Sequence, residues 1–73
     1  SKEIVERYSL IMRFELGDHV RILQSGQTGF ICDVHPCDGR YVYIVELEGI
    51  QLTEEDSLWD ILKTVEYHEI ERI

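Results

Sequence analysis

The chain has 73 residues, with fifteen Asp and Glu against seven Lys and Arg, for a net charge of −8. That length fits one domain with a small core, and no run of about 18 apolar residues offers a membrane-spanning helix. The acidic balance argues against nucleic-acid binding, which rests on Lys and Arg displacing counterions from phosphate; it serves plain solubility or steers a basic partner.

The opening Ser1-Lys2-Glu3 is charged and shows no signal-peptide pattern. Residues 1–7 read as a frayed end or a single helical turn. Met12 is a candidate native start, which would make residues 1–11 upstream sequence. Alternation follows: Tyr8, Leu10, Met12, Phe14 and Leu16 on one face, Ser9, Ile11, Arg13 and Glu15 on the other. A period of two predicts a half-buried strand over 8–16.

Gly17-Asp18 predicts a turn. Val20-Arg21-Ile22-Leu23 predicts a strand with Val20 and Ile22 inward. Gln24 to Gly29 predicts a turn in which the glycines supply positive φ or a close backbone approach. Phe30 to Val34 predicts a third strand, with Cys32 as a small buried hydrophobe. His35 to Arg40 predicts a loop, because Pro36 cannot donate to a ladder and Asp38-Gly39 favours a tight turn.

Tyr41 to Leu47 is almost wholly β-branched and aromatic and predicts the strongest strand. Residues 48–57 are acidic and turn-like. Residues 57–65 read two ways. As a helix capped by Thr53 or Ser57, they place Leu58, Ile61, Leu62 and Val65 on one stripe. As a strand, they give Tyr41–Leu47 a hairpin partner, which is the preferred reading. Glu69 to Ile73 predicts a short closing strand. With no linker or repeat, residues 1–73 form one domain. Two cysteines make no disulfide framework and fit a reducing, cytoplasmic compartment.

At Gly17-Asp18-x-Val20-x-Ile22, Gly26-x-x-Gly29-x-Ile31-x-x-Val34 and Tyr43-Ile44-Val45-x-Leu47, the chain resembles KOW-like and other SH3-like small β-barrels. The resemblance covers residues 14–47 best. It implies an all-β antiparallel barrel of about five strands, with room for one short helix near residues 54–65. KOW domains often contact RNA, or the transcription and translation machinery, through basic loops. The corresponding loop here holds Gln24, Ser25, Gln27 and Thr28, and only Arg21 and Arg40 are cationic nearby. The early aromatic motif of proline-reading SH3 domains is absent.

No constellation reads as catalytic. Cys32-x-x-His35-x-Cys37, with His19 and His68 distant, lacks the paired knuckles of structural zinc, so no metal or cofactor is expected. Glu54-Glu55-Asp56 is a consecutive acidic run of the kind found in solvated loops. The favoured function is a non-catalytic protein-interaction module. Tyr41, Tyr43 and Trp59 are its expected anchors, and Glu54, Glu55 and Asp56 its charged rim. The alternatives are a KOW-like nucleic-acid, ribosome- or transcription-associated module and an acidic DNA-mimic inhibitor.

Overall fold

A computed structural model describes residues 14–73. Five antiparallel strands form one sheet in the order β4-β3-β2-β1-β5. They are β1 (His19–Ile22), β2 (Thr28–Cys37), β3 (Arg40–Leu47), β4 (Leu62–Glu66) and β5 (Ile70–Arg72). The helical content of these residues is two 3₁₀ turns, Leu58–Ile61 and Tyr67–Glu69. The all-β antiparallel expectation holds, but the described residues do not close a barrel. Among them β4 pairs only with β3 and β5 only with β1, which leaves two open edges in this sheet.

The expected strand over 8–16 lies mostly outside the described residues. Its last positions form no strand: Phe14 is buried, whereas Leu16 is 66% exposed. The chain turns at this point. The Asp18 N–H donates to the Glu15 carbonyl, and the Gly17 N–H donates to the Ile31 carbonyl at 2.7 Å. Phe14 instead meets Tyr43 edge-on, with ring centroids 5.6 Å apart, under the Arg72 guanidinium.

Val20 and Ile22 point inward as their alternation requires. The following turn is shorter than expected. The Ile22 N–H donates to the Gln27 carbonyl and the Gly26 N–H to the Ile22 carbonyl, so Thr28 and Gly29 already belong to β2. Gly29 pairs with Val20 on one side and Leu47 on the other.

β2 also runs past its expected end. The predicted loop at 35–40 shrinks to Asp38-Gly39, whose φ values of 49° and 77° mark a type I′ hairpin turn. His35, Pro36 and Cys37 are in strand. A two-residue hairpin makes Cys37 and Arg40 a hydrogen-bonded pair, so Pro36, opposite Tyr41, turns its nitrogen away from β3. β1 pairs with β2 only at Thr28–Phe30, so among the described residues no ladder on that side is missing a donor.

Register shifts between Ile31 and Asp33. The extra residue is Cys32, which is exposed rather than buried as expected. The bulge lets Ile31 and Val34 both face inward and turns Cys32 out.

Residues 57–65 combine both readings. Leu58–Ile61 is one 3₁₀ turn, and β4 begins at Leu62. The helical stripe fails because pairing with β3 takes over: Ile61 and Val65 are buried while Leu58 is exposed. The core joins these to Phe14, Val20, Ile31, Tyr43 and Val45, and no polar or charged side chain is buried among the described residues. None of their helices is long and apolar enough to cross a membrane.

Acidic side chains fasten the turns. Asp18 Oδ2 accepts from the Glu15 N–H, Asp56 Oδ2 from the Thr53 N–H and Asp60 Oδ2 from the Ser57 N–H, at 2.8–2.9 Å. Glu69 Oε2 accepts from the Glu66 N–H at 2.6 Å. Each acid lies three residues after its donor. The Glu15 N–H, and then Arg72, hold the Asp18 carboxyl below its ordinary pKa. A carboxyl lowered by folding contributes stability that is full above its unfolded pKa of about 4 and is lost as pH falls through the folded value. Asp18→Asn keeps an acceptor but loses the charge. We expect it to cost about 1–2 kcal/mol at neutral pH and to flatten the acid limb of a thermal-melt series. An unchanged acid limb would refute the assignment.

Candidate functional site

The connection between β3 and β4 carries the most exposed apolar side chains of the molecule's described part. Trp59 is 78% exposed and Leu58 67%, with Ile50 and Leu52 also outward. Glu54, Glu55 and Asp56 are exposed between them. The two clamped turns build this presentation. The Asp56 carboxylate accepts from both the N–H and the hydroxyl of Thr53 at 2.9 Å, while the Asp56 N–H returns to the Thr53 carbonyl. The same bonds, the backbone one foremost, hold the Asp56 pKa below its ordinary value. Four residues on, the Asp60–Ser57 clamp starts the 3₁₀ turn that holds Leu58 and Trp59 in water.

The expected anchors separate. Trp59 is available for contact. Tyr43 is fully buried, so it is a core residue and cannot act as a surface anchor. The cause lies in β3: Tyr43 and Val45 share the inward face, and Tyr43 lies opposite Val34 and Val65. Tyr41, on that same face, is half-buried and packs against the core. Ile50, Leu52 and Leu58 join the candidate surface without having been singled out. For Ile50 and Leu52 the signal in the sequence is two aliphatic residues inside an acidic, turn-like stretch that offers no strand or helix face to bury them, whereas Leu58 reads there as part of a helical stripe.

Among the described residues the three arginines all face carboxylates. Arg21 pairs with Glu71 at 2.8 Å, Arg40 with Glu66 at 2.9 Å and Arg72 with Asp18 at 2.9 Å. These are exposed or half-exposed pairs, so each adds little stability. Their effect is on the surface potential, which among the described residues keeps no arginine cluster for a phosphate to meet.

Two other clusters are structural in character. His19 Nε2 lies 2.7 Å from Glu48 Oε2, Thr28 donates its hydroxyl to Glu48 Oε1, and the His19 ring stacks on Phe30. The hydroxyl faces the carboxylate and not the imidazole, so there is no nucleophile–base contact. Among the described residues no group of His, Cys, Asp and Glu could hold a metal ion. His35 pairs with Asp33 at 2.8 Å. Desolvation, helped by Glu46, pushes the Cys32 thiol above its ordinary value, the opposite of an activated nucleophile.

A groove of about 410 Å³ runs beside β4, lined there by Lys63, Thr64 and Val65. Its other wall comes from Ile22, the following turn to Gln27, and Glu69.

No family model matches this chain, nor does any curated protein or solved structure.

Proposed function

We propose that this domain is a non-catalytic protein-interaction module that holds a basic partner through the β3–β4 connection. The exposure of Trp59 beside Leu58, within a segment rimmed by Glu54, Glu55 and Asp56, carries the reading. Exposed Trp is the residue type most often found as an interface hot spot, and acidic rims steer basic partners and speed association. The five antiparallel strands and the bulge in β2 support an SH3-like sheet, though among the described residues its edges are open. Free thiols at Cys32 and Cys37 support a reducing cytoplasm.

The KOW-like nucleic-acid reading draws no support from the charge. The arginines at 21, 40 and 72 face carboxylates, and the turn after β1 is uncharged. We expect no RNA or DNA binding at physiological salt. A mimic of DNA would present acids in spaced rows, and the acids at 54–56 are one run.

The test is affinity for a partner isolated on the wild-type domain, compared across variants. Trp59→Ala should weaken binding by about 2 kcal/mol or more, roughly thirtyfold. Glu54→Lys with Glu55→Lys should mainly slow association and reduce its salt dependence. Normal binding by Trp59→Ala, with the charge reversal abolishing the complex, would reject the anchor and favour the mimic.

A further inference from the structure

We infer that the open edge of β4 is a docking site for an extended basic peptide, which pairs with it as an added antiparallel strand. The inference rests on the interaction-module reading and specifies how the partner is held.

Pairing alternates along a strand, so register decides which backbone groups are free. Cys37 and Arg40 flank the two-residue turn, which makes the even-numbered residues of β3 face β2 and Tyr43 and Val45 face β4. Their partners Val65 and Lys63 therefore bond to β3. Leu62, Thr64 and Glu66 direct their backbone groups the other way. The Leu62 N–H already donates to the Trp59 carbonyl, and the Glu66 N–H to Glu69. Thr64 is left, among the described residues, as the position in β4 with both an N–H and a C=O turned to the open edge. The strand carries no proline or bulge that would block pairing there.

The space beside that edge is a groove, not open surface. Lys63, Thr64 and Val65 form one wall, and Ile22, Leu23 and Glu69 lie across from it. The Leu23 N–H donates to the Glu69 carbonyl, which ties this far wall to the start of β5. The groove is thus the seam between the two edges of a sheet that curls without closing. An added strand would bond to Thr64 and place alternate side chains into the seam.

Charge and face fix the peptide's pattern. Side chains on the inner side would run beside Lys63 and Val65 over Ile22, which favours apolar residues and disfavours cations. Those on the outer side would run beside Thr64 and Glu66. The net charge of −8 favours Lys or Arg at those positions. The implied ligand alternates basic and apolar residues.

The test uses the whole chain labelled with nitrogen-15 and the peptide acetyl-Lys-Val-Lys-Val-Lys-Val-amide, with the Glu-Val analogue as control. Expected is binding of the basic peptide only, with slowed hydrogen exchange at the Thr64 amide. The peptide N-methylated on its lysines, the residues opposite Thr64, should bind about tenfold or more weakly, as expected for one lost backbone hydrogen bond. N-methylation on its valines should leave binding unchanged. Thr64→Pro should match the lysine-methylated result, and the methylated peptides give the answer even if that variant fails to fold. No binding of the basic peptide at millimolar concentration, or equal binding of the Glu-Val analogue, would overturn the inference. So would binding that perturbs Trp59 but leaves Thr64 exchange unchanged, and in that case the Trp59 reading survives. Thr64 protection with undiminished binding by Trp59→Ala would support strand pairing and reject Trp59 as anchor.

Discussion

Gly29→Ala should lower stability by about 2–3 kcal/mol, near the top of the range for overpacking. For a domain this small that is a drop of roughly 10–20 °C in melting temperature. A Cβ built on Gly29 would sit 2.3 Å from the Glu46 carbonyl oxygen and 2.9 Å from Val45 Cγ1. The first contact is with backbone, so no rotamer change relieves it. β2 has β1 on one side and β3 on the other at this point, so moving away from β3 presses on β1. Gly26→Ala supplies the comparison. It places a Cβ in open space at φ +77°, where the cost is backbone strain alone, about 1–2 kcal/mol. Thermal melts of the two variants check the order. If Gly26→Ala is the more damaging, the close approach of β2 to β3 at Gly29 is wrong.

Tyr43→Ala should cost about 3–5 kcal/mol, the usual loss for truncating a buried aromatic side chain. Domains of this size have about 4–11 kcal/mol in total, so much of the native population would be lost on warming. Tyr43 is fully buried on β3, between β2 and β4, and meets the Phe14 ring edge-on. Trp59→Ala, by contrast, removes a side chain that is 78% exposed and should leave the melting temperature nearly unchanged. Urea unfolding of both variants separates core from surface. A stable Tyr43→Ala would return Tyr43 to the list of candidate contacts.

Local pattern carried the strands and little of the surface. Val20 and Ile22, the Asp38-Gly39 hairpin turn and the strand from Arg40 to Leu47 follow directly from alternation and turn chemistry. The bulge at Cys32 could not be read, because it depends on which residues of β3 lie opposite. Pro36 misled for a related reason. It argues against a strand only where its nitrogen meets a neighbour, and β1 ends before reaching it. Tyr41, Tyr43 and Trp59 look alike in composition, yet one is half-buried, one fully buried and one exposed. Inner and outer faces of β3 both read as apolar, so only packing chooses between them. Barrel closure was beyond reach as well: the edge strands β4 and β5 are separated only by the 3₁₀ turn Tyr67–Glu69, yet among the described residues no ladder joins them, and local pattern does not say whether neighbouring strands pair.

The acids that fasten the turns divide the negative charge of this chain into two kinds. Glu54 and Glu55 take no part in a clamp, and their charge is free to vary with whatever partner the domain meets. Asp18, Asp56, Asp60 and Glu69 each hold the N–H three residues before them. Lysine or arginine at those positions would have no acceptor to offer, and the turn would loosen before the surface potential had been usefully altered. Recharging the domain is therefore constrained site by site. A basic version of this fold could be reached through positions such as 54 and 55, but replacing the fastening acids would first require new turns.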